Sequence, residues 1–594
     1  MKQLSLYALL FCYVIILWTS FVYYPRWQQP QAEATIGWDV SGYYYYLPAF
    51  LIYGDPVALT FKDSIQEKYH STPFFAQAFR HPENGRYIFK YSAGMAIMYM
   101  PYFLLAHVLA PSLGFPADGF SPPYQLAVQV GSVLWCFLGL WFLRRILLEY
   151  FQDKTVALLL LLYALGTNYL NFAAVDSAMT HNWLFTWYAI LMVLSQRFYQ
   201  SPSLQRAASI GFTCGICALI RPTDIISVII PALWGVSSWR GLTERYAFLV
   251  KNLSYYALAA VVTASVGFIQ LAYWKYASGH WLVYSYEDQG FSWLHPHVKD
   301  YVFSYRCGWL VYTPMMVFAI LGCIPLVRQR IQVWPVVLFS LINLYIVTAW
   351  DIWWYGGRAM VQSYAVWAFP FAAFLETLDK AAWRKWVVYP LFALFVYYNI
   401  WWTHQAHRGG LIDPYNMTRA YFWAVVGRYE VDPETIKLYD TSELFRGKRQ
   451  HVRSIFETNF EQDSVLANNP YPAISGSFSE YLNTEKQNTA QWRVALTPGA
   501  STWLRASALI HVREKEWDNW RMTQFIVRFM DGDQKVKEKL IRVQRLMNQG
   551  ETKTIYIDVR LPEKKFDSVL VYFWHAESSK PILIDDVKME LFNP

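Results

Sequence analysis

Apolar residues come in long runs through the first two thirds of the chain and in short alternating segments after it. The runs fall near residues 4–24, 124–143, 155–174, 182–196, 207–220, 224–239, 253–274, 309–327, 332–349, 359–376 and 386–402. A helix needs about 20 apolar residues to cross a bilayer. The pattern therefore predicts a multi-pass α-helical membrane protein with about 11 spans. Residues 1–24 begin with Lys2 and lack a small-residue cleavage site, so they read as an uncleaved first span. A further apolar run, residues 91–111, is long enough to span, but counting it would invert every later loop. It is read as an interfacial or re-entrant helix.

After about residue 430 the period changes. Trp503–Val512, Phe525–Phe529, Thr554–Val559 and Val569–Trp574 are β-branched and aromatic, and several alternate apolar with polar. Asp531-Gly-Asp533 and Asn548-Gln-Gly550 supply turn signals between them. Short strands at such spacing predict an all-β sandwich. Two domains follow: a transmembrane domain over 1–425 and an extracytoplasmic β-sandwich over 430–594.

Composition agrees. Hydrophobic residues make up 55% of the 594 positions and charged residues 16%, and 28 Trp and 44 Tyr suit a membrane–water interface. The net charge of +8 has its source in loops. Arg144, Arg145 and Lys154 share one, Arg197 and Arg206 another, then Arg240, Arg245 and Lys251, then Arg328 and Arg330, then Lys380, Arg384 and Lys385. These are alternate loops on the side of Lys2, which the positive-inside rule assigns to the cytoplasm. The long loops 25–122 and 275–306, and the chain after 403, then face outward, where the chemistry is expected. No basic run of five residues occurs, so nucleic acid is not an expected partner. Cys214 and Cys217 imitate a metal motif but sit in an apolar run without a second ligand pair, which favours plain packing.

The outer boundary carries the candidate chemistry. Asp39, in Gly37-Trp-Asp39, follows the first span, where a carboxylate is costly unless paired or used. It is a candidate general base or metal ligand, against a plain helix cap. Lys90, Arg221, Arg306 and Arg358 are candidates for a donor phosphate, since cations at an apolar boundary need an anion. Asp176 and His181, five residues apart, could orient a substrate or complete a metal site, as could Glu287 and Asp288. A divalent metal is thus a candidate cofactor. The chain has no Walker loop, no G-x-G-x-x-G and no H-E-x-x-H.

The outer loop with Asp39, and Lys90 leading into an apolar helix, resemble multi-spanning GT-C glycosyltransferases. These include the protein O-mannosyltransferases and lipid A aminoarabinose transferases. Gly166-Thr-Asn168, Met179-Thr-His181, Leu219-Ile-Arg-Pro-Thr223, Tyr273-Trp-Lys-Tyr276, Phe303-Ser-Tyr-Arg306, Tyr312-Thr-Pro314 and Trp353-Trp-Tyr-Gly-Gly357 are similar to a bacterial branch of them. The resemblance covers residues 1–425. It implies an inner-membrane enzyme making an inverting sugar transfer from a polyprenyl-phosphate donor to an extracytoplasmic glycan, lipid or protein hydroxyl. Asp39 would serve as base or metal ligand. The mannosyltransferases carry a second acidic residue directly after this carboxylate; here Val40 stands there. Ile584–Phe592 is similar to the closing strand of galactose-binding-like jelly rolls, which implies a carbohydrate-binding role. The alternative is a transporter or flippase of a lipid-linked glycan, for which mid-membrane charge and an inverted repeat are the expected signals.

Overall fold

The computed structural model describes residues 3–287, 289–351, 355–413, 416–462, 469–497, 499, 501–516, 518 and 520–594. They form two compact units, Met1–Gly410 and Leu411–Pro594. The boundary falls before residue 425 because Gln405–Gly409 and the left-handed Gly410 end the last long helix.

The first unit is helical. Among the described residues, three helices are long and apolar enough to cross a membrane: Leu4–Gln28, Pro122–Leu147 and Leu253–Ser278. The last, at about 1.5 Å per residue, is roughly 39 Å long against a hydrocarbon core of about 30 Å. It is mostly unburied by protein, and Val261, Phe268 and Ile269 stand exposed on it. An apolar face of this extent requires lipid, so the unit is a membrane unit.

The expectation of about 11 spans is not met as continuous helices. Run 309–327 breaks into Trp309–Tyr312, Met316–Leu321 and Cys323–Gln329. Pro314 and Pro325 cannot donate to a helical ladder. Run 224–239 reduces to the 3-10 turn Pro222–Val228 and the short helix Ile229–Leu233; Pro231 cannot donate to a helical ladder, and the left-handed Gly235 follows the helix end. Run 91–111 becomes the 16-residue helix Gly94–Leu109, about 24 Å long and short of a span.

The second unit is a two-sheet antiparallel sandwich. With hairpin strands β1 (Ala78–Arg80) and β2 (Tyr87–Phe89) of the helical unit counted first, its strands are β3 (Gln450–Thr458), β4 (Glu480–Leu482), β5 (Trp492–Ala495), β6 (Trp503–Val512), β7 (Gln524–Asp531), β8 (Gln534–Arg542), β9 (Thr552–Arg560), β10 (Ser568–Trp574) and β11 (Ile582–Asn593). One sheet has the order β5-β10-β7-β8, the other β3-β11-β6-β9, with β4 beside β11. The alternation in β6 places Leu504, Ala506, Ala508 and Ile510 in one core with Phe525, Val527 and Phe573 of the facing sheet. The rings of Phe525 and Phe573 stack with centroids 4.2 Å apart. At a bulge in β11, Asp585 is buried and accepts a 2.7 Å hydrogen bond from the Ser479 hydroxyl. Asp585 of the closing strand thus has a structural use.

Candidate functional site

The helical unit gathers segments distant in sequence around Asp39. The chain enters this region strained: Trp38, at the start of the helix Trp38–Tyr44, has φ of +48°. The neighbouring backbone is tied down. Trp38 donates its N–H to Ser71, Ser41 donates to the Trp38 carbonyl, and Gln77 donates to Ser41 Oγ. Gln77 also accepts from the Lys90 N–H, which joins the Asp39 helix to the Lys90 segment.

Asp39 does not cap its helix; its side chain makes two tertiary bonds. Tyr91 Oη donates to Oδ1 at 2.7 Å and Arg358 Nη2 donates to Oδ2 at 3.0 Å. Arg358 arrives on the Tyr-Gly-Gly-Arg turn. There Gly356 and Gly357 adopt φ of +67° and +60°, a region that glycine enters without strain. Asn168 Nδ2 donates to the Gly356 carbonyl at 2.5 Å, Tyr364 donates to Asn168 Oδ1 at 2.7 Å, and Trp309 Nε1 donates to Tyr364 at 2.8 Å. A buried polar chain therefore fixes the direction from which Arg358 approaches.

Around this pair stand three tyrosines. The Tyr43 and Tyr91 rings lie 4.5 Å apart and those of Tyr91 and Tyr286 5.9 Å apart. Burial pushes the Tyr286 phenol up to about 12; Asp39 adds to that rise, while Arg221 and Arg358 oppose it. Burial also raises the Tyr91 phenol well above its ordinary value, with Asp39 beside it. Both hydroxyls stay protonated at neutral pH, so Tyr91 remains a donor to the carboxylate.

Two cations here lack a tight carboxylate partner. Lys90 Nζ sits 5.9 Å from the Tyr91 ring centre and 5.8 Å from that of Tyr286, and makes no ion pair among the described residues. Arg221 Nε is 4.0 Å from Asp224 Oδ2, but Asp224 accepts hydrogen bonds from Tyr188 and Thr223. Arg221 Nη1 is buried and has no hydrogen-bond partner among the described residues. Arg221 is brought close because Gly94 lets the Gly94–Leu109 helix touch the backbone of Leu219 and Ile220; a Cβ there would meet Ile220 N at 2.4 Å.

Beside the cluster runs an apolar groove of about 340 Å³, lined by Tyr46, Phe50, Ala93, Ile97, Ile269 and Tyr273. It begins two residues after Tyr91, and Tyr46 donates to the Tyr91 carbonyl at 2.7 Å.

Other candidates lie elsewhere or play different parts. His181 is buried, faces Gln362 Oε1 at 2.9 Å, and is within electrostatic reach of Arg221 and Arg358. Asp176 does not join it. That carboxylate pairs with Arg26 and accepts from Asn171 Nδ2 at 2.8 Å, while His181 opens the next helix, Thr180–Gln200, and faces Gln362. Arg306 is exposed and makes no hydrogen bond or ion pair among the described residues. Glu287 is exposed at φ of +53°, and Asp288 lies outside the described residues, as do Trp353 and Trp354. Among the described residues no three His, Cys, Asp or Glu side chains gather as a metal set. Asp39 is bonded instead to a phenol and a guanidinium, a donor set that suits an anion rather than a cation. Tyr91, Tyr43, Tyr286 and Gln362 were not foreseen; the sequence signal for Tyr91 was its place directly after Lys90, beside a carboxylate in need of a donor.

No known family matches this chain, and no curated protein does. Among solved structures it is similar to a family 16 carbohydrate-binding module, at 13% identity over 20% of this chain and 79% of the other, with a TM-score of 0.15. It is also similar to the archaeal oligosaccharyltransferase AglB from Archaeoglobus fulgidus, solved in complex with an inhibitory peptide and a dolichol-phosphate (12% identity, 68% of this chain, 55% of the other, TM-score 0.41). A third is the arabinosyltransferase EmbB from Mycobacterium smegmatis (10% identity, 83% and 59%, TM-score 0.32). The chain spans little more than half the length of the last two. At such TM-scores the likeness says nothing of chemistry, and the site stands on its own geometry.

Proposed function

We propose that the chain transfers a sugar from a polyprenyl-phosphate donor to a hydroxyl on an extracytoplasmic acceptor. The observation that carries the reading is the meeting of Asp39, two cations without tight carboxylate partners among the described residues, and an apolar groove. A lipid-linked sugar phosphate needs all three. The groove takes the apolar chain, Lys90 and Arg221 Nη1 take the phosphate, and Asp39 faces the sugar. Asp39 accepts the proton of the attacking hydroxyl as it adds to the anomeric carbon, and the polyprenyl phosphate leaves as the sugar–phosphate bond breaks. Attack opposite the leaving group inverts the anomeric centre. Arg358 and Tyr91 aim the carboxylate, and the cations stabilise charge growing on the departing phosphate. In this reading Arg358 orients Asp39 rather than binding phosphate, and no step passes through a metal.

Lipid extracted from the purified protein tests the reading directly. Mass spectrometry should find a polyprenyl phosphate or its glycosylated form; diacyl lipids alone would count against it. A bacterial inner-membrane location with the sandwich outside belongs to the same reading, supported by the alternation of basic loops. A reporter fused after residue 425 should then be active only in an extracytoplasmic assay, and cytoplasmic activity would overturn the orientation.

A further inference from the structure

A second cavity, of about 370 Å³, lies at the far end of the helix Thr180–Gln200. That helix carries His181 beside the Asp39 cluster and Gln196, Tyr199 and Gln200 on the cavity wall. Fifteen residues separate His181 from Gln196, about 22 Å along a helix. The two sites are therefore at opposite ends of this helix.

The cavity wall is built and braced. Gln196 Oε1 accepts from Tyr150 Oη at 2.6 Å and Trp234 Nε1 at 2.8 Å. Gln332 is buried, donates to Tyr150 Oη at 2.7 Å and accepts from Gly235 N at 2.7 Å. Two arginines face this wall. Arg245 stacks its guanidinium 3.5 Å over the Tyr199 ring and donates Nη2 to the Trp234 carbonyl. Its Nε is buried and has no hydrogen-bond partner among the described residues. Arg330 is exposed at the rim, with φ of +54°, and makes no ion pair among the described residues. Glu244 pairs with Arg240 instead. Glu149 is near Tyr150 but exposed, and bonds to neither arginine. The balance at the cavity is thus positive, in guanidinium forks suited to phosphate oxygens.

A separate observation sets the level of this cavity in the membrane. Arg245 belongs to the helix Trp239–Lys251, in which no residue is buried. Trp239, Tyr246 and Val250 are exposed and, at 100° per residue, share one face. Two residues beyond the end of this helix, at Leu253, begins a helix long and apolar enough to cross a membrane. An amphipathic segment with Trp and Tyr on its apolar face and Arg on its flank, joined to the start of a span, is suited to the headgroup layer.

We propose that this cavity binds the phosphate-bearing headgroup of an anionic membrane lipid, held by Arg245 and Arg330 with Tyr199 and Trp234 as its walls. The ligand is structural or regulatory rather than a reactant, since the site is remote from Asp39. The full-length protein in a neutral detergent, titrated with short-chain phosphatidic acid, short-chain phosphatidylcholine or inorganic phosphate, tests this by native mass spectrometry and thermal shift. Phosphatidic acid should bind and raise the Tm. Arg330→Gln, at an exposed position, should weaken that binding about tenfold, and Arg245→Gln with it further. Equal binding of phosphatidylcholine would remove the anionic recognition. Inorganic phosphate matching phosphatidic acid would remove the lipid as its source. Unchanged phosphatidic acid binding in folded Arg330→Gln and in the double variant would overturn the site.

Discussion

The sandwich and the cations beside Asp39 handle charge in opposite ways. In the sandwich, buried charges are matched at close range. Arg505 forks onto Asp558 through bonds of 2.7 and 2.8 Å, and Arg542 and Arg545 both bond to Asp440. Lys437 pairs with Glu434 and rests 3.2 Å over the Tyr556 ring. Near Asp39 in the helical unit, Lys90 has no carboxylate partner among the described residues and Arg221 only a distant one. Removing a charge from a matched buried set leaves its partner stranded, which costs stability. Removing Lys90 strands no described carboxylate, and removing Arg221 leaves Asp224 its hydrogen bonds from Tyr188 and Thr223, so both losses are felt chiefly when an anion arrives. The same kind of substitution should therefore damage folding in one unit and ligand binding in the other.

The largest effect is expected at Asp39. Asp39→Asn keeps shape but loses basicity, and general-base catalysis contributes about 10²–10⁴-fold, so transfer in isolated membranes should fall by that order. Protein level and melting should hold, because the amide oxygen still accepts from Arg358 while its NH2 can donate to the Tyr91 hydroxyl. Full activity at a normal protein level would take Asp39 out of the chemistry. Chelation by EDTA in the same membranes should leave the wild-type rate within about twofold; a collapse restored by a divalent cation would reassign Asp39 to a metal.

Next in size is Arg505→Met. It leaves Asp558, almost wholly buried, without its fork. Breaking a buried pair costs about 3–5 kcal/mol, to be read from urea unfolding of residues 411–594 followed by circular dichroism. That fragment should show a mostly β spectrum on its own. A loss below about 1 kcal/mol would mean that exposed-pair energetics apply and the contrast between the units fails.

Arg221→Gln and Lys90→Ala should do the reverse. Each removes a donor to a charged ligand, an interaction worth about 1.5–3 kcal/mol, so donor binding should weaken by about tenfold to a hundredfold. Melting should stay near wild type. A variant that melts early yet binds donor normally would place that cation with the structural charges.

Which parts of this were legible in the sequence follows from the range of each interaction. Strand alternation is local, so β6 is read from Trp503–Val512 without change. Span length is local too, but proline and glycine at 314, 322 and 325 divide an apolar run that hydropathy counts as whole. Asp39 and Lys90 stand out because charge at an apolar boundary demands a reason. Partner choice is not local. Arg358 reaches Asp39 across 319 positions, and Asp176 takes Arg26 across 150 rather than His181 across five. Sequence spacing suggested the nearer partner, and tertiary packing supplied the distant one.

The smallest expected effect concerns pH and separates the units once more. His575 in the sandwich is buried, with Nδ1 2.9 Å from Thr523 Oγ1, and burial lowers its imidazole from the usual 6.5 to about 4. The unfolded chain thus binds a proton that the folded one refuses. Stability from this group is full above about pH 6.5 and is lost as pH falls toward about 4. With those two values the loss between about pH 7 and about pH 5 is about 2 kcal/mol. Urea unfolding of residues 411–594 at both pH values measures it, and His575→Gln should flatten the difference while lowering stability at neutral pH. Asp585, raised by burial, works against the trend: its folded form holds a proton that the unfolded chain releases, so its contribution is present at low pH and fades as pH rises. Asp585→Asn should therefore steepen the acid loss where His575→Gln removes it. If both variants keep the wild-type pH dependence, neither buried group sets the acid stability of the sandwich, and the matched surface and interior pairs become its source.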